Sequence, residues 1–264
     1  MTLCCKPAHT MAQHALVFSA EKTRKGEAIY VINNAYCPVT LALDLQMDNA
    51  TFVYNKEPFF VIPARTQHYK LGEVTVYDWR QKWSYSYKVT SCYGDLRTAV
   101  YDSLYEYALP YQKDSAFRIM QGYSGSFSHQ HQNALDFGMQ EGTAVLAARE
   151  GIVIEVVQQF TTACLEDSCK PKVNFVTIYH SDGTMASYVH IRYNGAVVKP
   201  GDIVKRGDLL AHSGNTGYSS GPHLHFDCFL PNVGEKRTIP TKFMTGNGKP
   251  ADYLAQGNVY KKDY

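Results

Sequence analysis

Hydrophobic alternation with a period of two constrains this chain more than any other feature of its sequence. Val39, Leu41, Leu43 and Leu45 alternate with Thr40, Ala42, Asp44 and Gln46, and Tyr85, Tyr87 and Val89 alternate with Ser84, Ser86 and Lys88. Successive side chains of a strand point to opposite faces, so such runs set an apolar face against a polar one. No stripe of 3.6-residue period and comparable length competes with them. The pattern returns downstream, where Leu135, Phe137 and Met139 alternate with Ala134, Asp136 and Gly138, and Ile152, Ile154 and Val156 alternate with Val153, Glu155 and Val157. Val176, Ile178 and His180 then lead into the turn SDGT, and Gly142, Gly151, Gly183, Gly201 and Gly207 stand where tight loops are needed. The chain therefore reads as mainly β, and its twenty tyrosines suit half-buried pleated surfaces.

At 264 residues the chain has room for two ordinary domains with sizeable cores. The pattern divides it into an N-terminal segment at residues 1–26, a β-rich accessory domain of sandwich type at 27–105, a second β-rich domain at 106–245 and a tail at 246–264. Between the two domains, LRTAVYDSLYEYAL ahead of Pro110 fits either a short helix or extended chain. No cluster of titratable residues converges in the accessory domain, which suits a packing or positioning role. Twenty-six basic residues against 24 acidic give a formal charge of +2, too weak for a nucleic-acid surface. No run of 18 apolar residues exists, so no transmembrane segment is expected. The first 28 residues lack a charged segment followed by an apolar one, so no export signal is visible in them.

The seven cysteines form no CxxC and no knuckle spacing with histidine, which excludes a structural zinc finger. Cys164 and Cys169 bracket LEDS, a spacing that suits a small disulfide-closed loop in an oxidising compartment, and Cys37 with Cys92 is a candidate second pair. Chemistry concentrates elsewhere, in GPHLHF at residues 221–226. On a strand, His223 and His225 enter one site together while Leu224, Phe226 and Cys228 turn to the core, which makes Cys228 a buried thiol and not a ligand. A lone HxH arises often by chance, so a second signal is needed. Asp136 supplies it. It interrupts the apolar strand NALDFG, where a carboxylate is costly unless paired or bound to a metal, and His129 and His131 lie just upstream. One upstream histidine, Asp136 and one histidine of the pair make three ligands, the number that a catalytic zinc takes while leaving a position open. The other imidazole of the pair, and His190 in SYVHIRYNG, would then act beside the metal.

Together, GTAVLAAREGIVIEV (142–156), VTIYHSDGTMASYVHI (176–191), VKPGDIVKRGDLLAHSGNTG (198–217) and GPHLHF resemble the lysostaphin/LytM-type zinc metallopeptidases, whose members cut peptide cross-links of bacterial peptidoglycan. The resemblance runs from about Gln121 to Leu230 and implies an antiparallel β-sheet peptidase domain at 106–245 with one zinc ion. It makes Asp136 and His225 ligands and gives His190 and His223 the catalytic roles. Many members place the first histidine ligand four residues before the aspartate, where this chain has Gln132; both His129 and His131 remain candidates. The implied enzyme is a periplasmic or extracellular zinc endopeptidase acting as a monomer on peptidoglycan stem peptides, with direct cross-links favoured over glycine-containing bridges. The alternative is a non-catalytic relative that binds peptidoglycan or regulates another wall hydrolase. Loops at 160–172 and 216–220 are expected to shape the groove. Asn215 and Thr216 are expected to build the turn before HxH, His180 and His212 to be structural, and His9, His14 and His68 to face solvent. Ser126 and Ser128 lack surroundings that would activate a nucleophile.

Overall fold

A computed structural model describes residues 15–54, 57–246 and 249–264, so that Cys4, Cys5, His9 and His14 lie outside the described residues. Every element among the described residues is a strand except one three-residue 3-10 turn at Asp167–Cys169. The chain divides into two compact units. One takes Thr98–Leu230 and Lys236–Tyr264; the other runs up to Arg97 and adds Pro231–Glu235.

The unit that ends at Arg97 consists of two antiparallel sheets. In the first, Leu16–Lys22 pairs along its whole length with Gly26–Asn33, which continues to Tyr69–Val76 and Ala50–Val53. Residues from Leu16 onward therefore belong to this sheet and are not a separate leading segment. The second sheet sets Val39–Asp48 between Phe60–Ile62 and Ser84–Tyr93. Tyr85, Tyr87 and Val89 are half-buried while Ser84, Ser86, Lys88 and Thr90 are exposed, as the alternation requires. Val39, Thr40 and Leu41 are all buried, so the two-residue rhythm of that strand begins only beyond them. Cys37 and Cys92 are buried thiols here, not the disulfide their spacing allowed.

The larger unit is built on a nine-stranded sheet. Its central run is Gly151–Val157, Phe175–Tyr179, Met185–Val189, Leu224–Leu230, Ala134–Phe137 and Ala116–Gln121. A three-stranded sheet of Ala144–Leu146, Leu209–Ser213 and Ile191–Ala196 accompanies it. Leu135, Phe137, Leu224 and Phe226 lie in one buried cluster with Tyr107, Tyr111, Tyr188 and Phe243. Each such side chain contributes roughly 1.5–3 kcal/mol on burial, enough to hold strands that carry charged groups on the opposite face. Cys228 is in this cluster too, at 1% exposure. Tyr107, Tyr111 and Tyr188 are fully buried, not half-buried, because their hydroxyls are met inside; the Tyr111 hydroxyl, for example, donates to the Tyr260 carbonyl at 2.6 Å.

The segment before Pro110 forms no helix: turns at 96–98 and 103–104 lead into Glu106–Tyr107, which pairs in parallel with Lys242–Phe243. A helix there would turn Leu109 away from Tyr107 and Tyr111, yet all three belong to the core. Residues 246–264, expected as a tail, are likewise part of the unit: Val259–Lys261 pairs with Ala116–Gln121 and Asp252–Tyr253 with Lys242–Phe243. Cys164 and Cys169 close the short disulfide loop.

Candidate metal centre

Strand register assembles the centre. Asp136 stands directly opposite His225 across an antiparallel pair, Gln121 flanks Asp136 on its other side, and Val189 flanks His225. Directly opposed residues share a face, and here it is the face away from Leu135, Phe137, Leu224 and Phe226. His129 reaches the same spot from the loop between Ala116–Gln121 and Ala134–Phe137 and is fully buried. The His129 Nε2 lies 3.2 Å from the His225 Nδ1 and 3.2 Å from the Asp136 Oδ1, and the His225 Nδ1 lies 3.0 Å from that same oxygen. Among the described residues, this trio is the group of side chains that could share a metal ion.

The donor set fits zinc. Two imidazole nitrogens and a carboxylate oxygen are its usual ligands, and ligands about 2.0–2.1 Å from a tetrahedral ion stand about 3.3 Å apart, close to the separations found. Hydrogen-bond partners also fix which nitrogen of each ring faces the centre, since a carbonyl can only accept. The His129 Nδ1 donates to the Gly122 carbonyl at 3.0 Å, which leaves Nε2 facing the cluster. His225 is reversed: its Nε2 faces the Asp227 carboxylate at 3.3 Å, so Nδ1 is the nitrogen turned inward. The second oxygen of Asp136 accepts from the Gln121 amide at 3.0 Å, leaving Oδ1 for the centre.

Two more imidazoles stand beside the trio. His190 and His223 have ring centroids 4.5 Å apart, and the His223 Nε2 is 3.7 Å from the Asp136 Oδ1. The His190 Nδ1 donates to the Thr216 carbonyl at 2.6 Å and the His223 Nδ1 to the Gly221 carbonyl at 2.8 Å, so each keeps a bare Nε2. Burial, reinforced by His223 and His225, pushes the His190 imidazole down to about 3. Burial likewise lowers His223, the Asp136 charge only partly opposing it. Both rings are therefore poised as neutral proton acceptors near pH 7. Burial alone would raise the Asp136 carboxyl, but hydrogen bonds from His129 and His225 hold it well below the ordinary carboxylate range. Burial alone would lower His225, yet Asp136 and Asp227 together raise it to about 9.

His131 is not brought to the centre. It sits exposed, with φ 59°, in the turn closed by the Gln132 amide on the His129 carbonyl, and is not among the side chains grouped around Asp136. His180 is buried with its Nδ1 on the Glu150 carbonyl, His212 is half-buried, and His68 is exposed beside Glu21. Tyr188 packs in the core and accepts from the Ala148 amide. The Thr216 hydroxyl donates to the Ile191 carbonyl, bracing the turn before HxH against the segment that follows His190. The Ser128 hydroxyl accepts from the Gln121 side-chain amide at 2.7 Å.

Gln121, Asp227 and Lys236 take part although sequence reasoning did not single them out. The signal for Asp227 was present, since His223, His225 and Asp227 follow the same every-other-residue rule. Gln121 becomes visible only once strand register is known.

Residues 130–236 match the model of Peptidase family M23. The chain is 29% identical over 164 residues to the peptidoglycan DD-endopeptidase ShyA of Vibrio cholerae serotype O1, covering 59% of this chain and 35% of that protein. It is 32% identical over 167 residues to ShyB of the same organism, covering 56% and 36%. To lysostaphin of Staphylococcus simulans it is 37% identical over 94 residues, covering 35% and 17%. The chain thus spans at most about a third of the length of these curated relatives. Asp136, His190, His223 and His225 all fall inside the stretch that matches Peptidase family M23, and His129 immediately precedes it.

Proposed function

We propose that the chain is a zinc endopeptidase that hydrolyses peptide cross-links of bacterial peptidoglycan outside the cytoplasm. The observation that carries this reading is the buried trio of His129, Asp136 and His225 with two neutral imidazoles, His190 and His223, at its side. His129 Nε2, Asp136 Oδ1 and His225 Nδ1 would hold the ion. Once bound, zinc supplies Lewis acidity, polarising a peptide carbonyl and bringing the pKa of water to about 7. The protein's own part is proton handling. His190 and His223 each offer an unprotonated Nε2 whose ring is fixed from behind by a main-chain carbonyl, so either can take a proton from attacking water and return it to the leaving amine. Their N–H groups, once protonated at Nε2, also stabilise the oxyanion of a tetrahedral intermediate.

A groove wall is supported by the parallel pairing of Ala163–Cys164 with Gly217–Tyr218, braced by the Cys164–Cys169 bond. A cavity of about 460 Å³ is lined by Ala163 of this pairing together with Glu141, Arg192, Asn215 and Thr216. Direct cross-links are the favoured substrate because the match to the DD-endopeptidase ShyA extends over 59% of this chain, against 35% for lysostaphin. Digestion of purified sacculi followed by mass spectrometry tests the reading. Cross-linked dimers should fall to monomers with the wild-type protein and persist with His223→Ala. Intact sacculi that nonetheless retain the protein would favour the non-catalytic alternative.

A further inference from the structure

The reading above leaves unexplained why a buried carboxylate stands behind the centre. Asp227 is 4% exposed and follows His225 by two residues on the same face of Leu224–Leu230. Its Oδ2 is 3.3 Å from the His225 Nε2 and 2.7 Å from the Lys236 ammonium. Ser187 stands opposite Asp227 in the neighbouring strand, and the Lys236 ammonium lies 3.4 Å from its hydroxyl. We propose that Asp227, backed by Lys236, is a positioning residue for the metal centre, holding His225 in the one tautomer and ring angle that present Nδ1 to a metal ion held beside Asp136 and His129.

The argument rests on what an imidazole does without such a partner. A neutral ring carries one hydrogen, on either nitrogen, and rotates about χ2 with little preference. With nothing behind it, His225 could place its hydrogen on Nδ1, toward Asp136 at 3.0 Å, where it would occupy the direction a metal needs. An acceptor fixed at Nε2 removes that option, because the hydrogen stays where the carboxylate is. A carboxylate is suited to this, since it also raises the basicity of the opposite nitrogen as a ligand. Lys236 compensates the buried negative charge, which would otherwise be costly so close to Asp136. The three ligands are thus each held from behind in a different way: His129 by the Gly122 carbonyl, Asp136 by the Gln121 amide and His225 by a charged pair. A merely structural ion pair between Asp227 and Lys236 would not need the third contact to the ring.

This inference depends on the trio being a zinc site, as the proposed function holds, but its test requires no substrate. Zinc affinity is measured by chelator competition for wild type, Asp227→Asn and Asp227→Ala, with unfolding of each metal-free protein followed in parallel. Long-range proton–nitrogen NMR of the zinc-loaded wild type reports the tautomer. The expected result is a hydrogen on the His225 Nε2, a loss of affinity of about 10–100-fold in Asp227→Ala, and partial rescue in Asp227→Asn, which keeps an acceptor oxygen. Should Asp227→Ala fail to fold, the decision falls to Asp227→Asn and the wild-type tautomer. Wild-type affinity in the folded variants, or a His225 hydrogen on Nδ1 in the zinc-loaded protein, overturns the proposal. A protein that binds zinc with the expected tautomer yet leaves sacculi intact would instead sink the wall-cutting reading and leave this one standing.

Discussion

Four imidazoles share the centre, and each commits one ring nitrogen to an oxygen that can only accept. Three of them use Nδ1 in this way; His225 uses Nε2. The proposal of His129 over His131 as a ligand rests on burial and distance, His129 being fully enclosed and 3.2 Å from both Asp136 and His225 while His131 is exposed. His129→Ala should therefore lose stoichiometric zinc, while His131→Ala keeps it with activity within about twofold, since substitution of an exposed side chain outside the ligand trio costs little. Elemental analysis of the purified variants decides the matter; zinc lost from His131→Ala and kept in His129→Ala would reverse the assignment. Asp136, His223 and His225 were legible in the sequence because a charge in an apolar strand and a two-residue spacing are local signals. Which upstream histidine joins them was not, because the intervening residues form a turn whose direction is set by contacts such as the Ser124 amide on the Gln132 carbonyl.

Among the strands, the decisive event is a change of sheet. Met185–Val189 belongs to the nine-stranded sheet and Ile191–Ala196 to the three-stranded one, and His190 is the single residue between them. Plain alternation would put His190 on the same side as Tyr188, inside the core. Instead its φ of 65° turns the side chain out toward His223 and His225, a conformation costly enough in a non-glycine residue to persist only where its surroundings impose it. That is why the strand itself could be read from sequence while the placement of its last imidazole relative to Tyr188 could not. Gly214 keeps the corner closed. It bridges to His223, and a Cβ there would lie 2.4 Å from the Arg192 backbone nitrogen and 2.5 Å from its Cα, neither of which can give way as a flexible side chain would. Gly214→Ala should push His190 and His223 apart without touching the trio. Zinc content is expected to stay at wild-type level while kcat falls on the order of 100-fold, as the proton-handling roles proposed for these two imidazoles require for a displacement of about 1 Å. Unchanged kcat would mean that the corner tolerates the displacement.

At the scale of the molecule, acid stability depends on a histidine remote from the chemistry. His180 is fully buried, with Nδ1 on the Glu150 carbonyl and no partner for Nε2, and burial pulls its imidazole down to about 4. The unfolded chain takes up a proton at this residue below about pH 6.5, whereas the folded protein refuses it until about pH 4, so stability falls as the pH drops through that window. The loss attributable to His180 is about 2 kcal/mol at pH 5. Urea midpoints at pH 7 and pH 5 should draw closer together in His180→Gln than in wild type; an equal gap would assign the acid sensitivity elsewhere. The larger unit also owes its integrity to pairings between distant parts of the chain, which local patterning could not reveal. Val259–Lys261 completes the edge of Ala116–Gln121, the strand that carries Gln121 to Asp136. During synthesis that edge lacks this partner until Val259–Lys261 has been added. A nascent chain already containing every histidine named here therefore still lacks a finished support for Asp136 until Val259–Lys261 joins the edge.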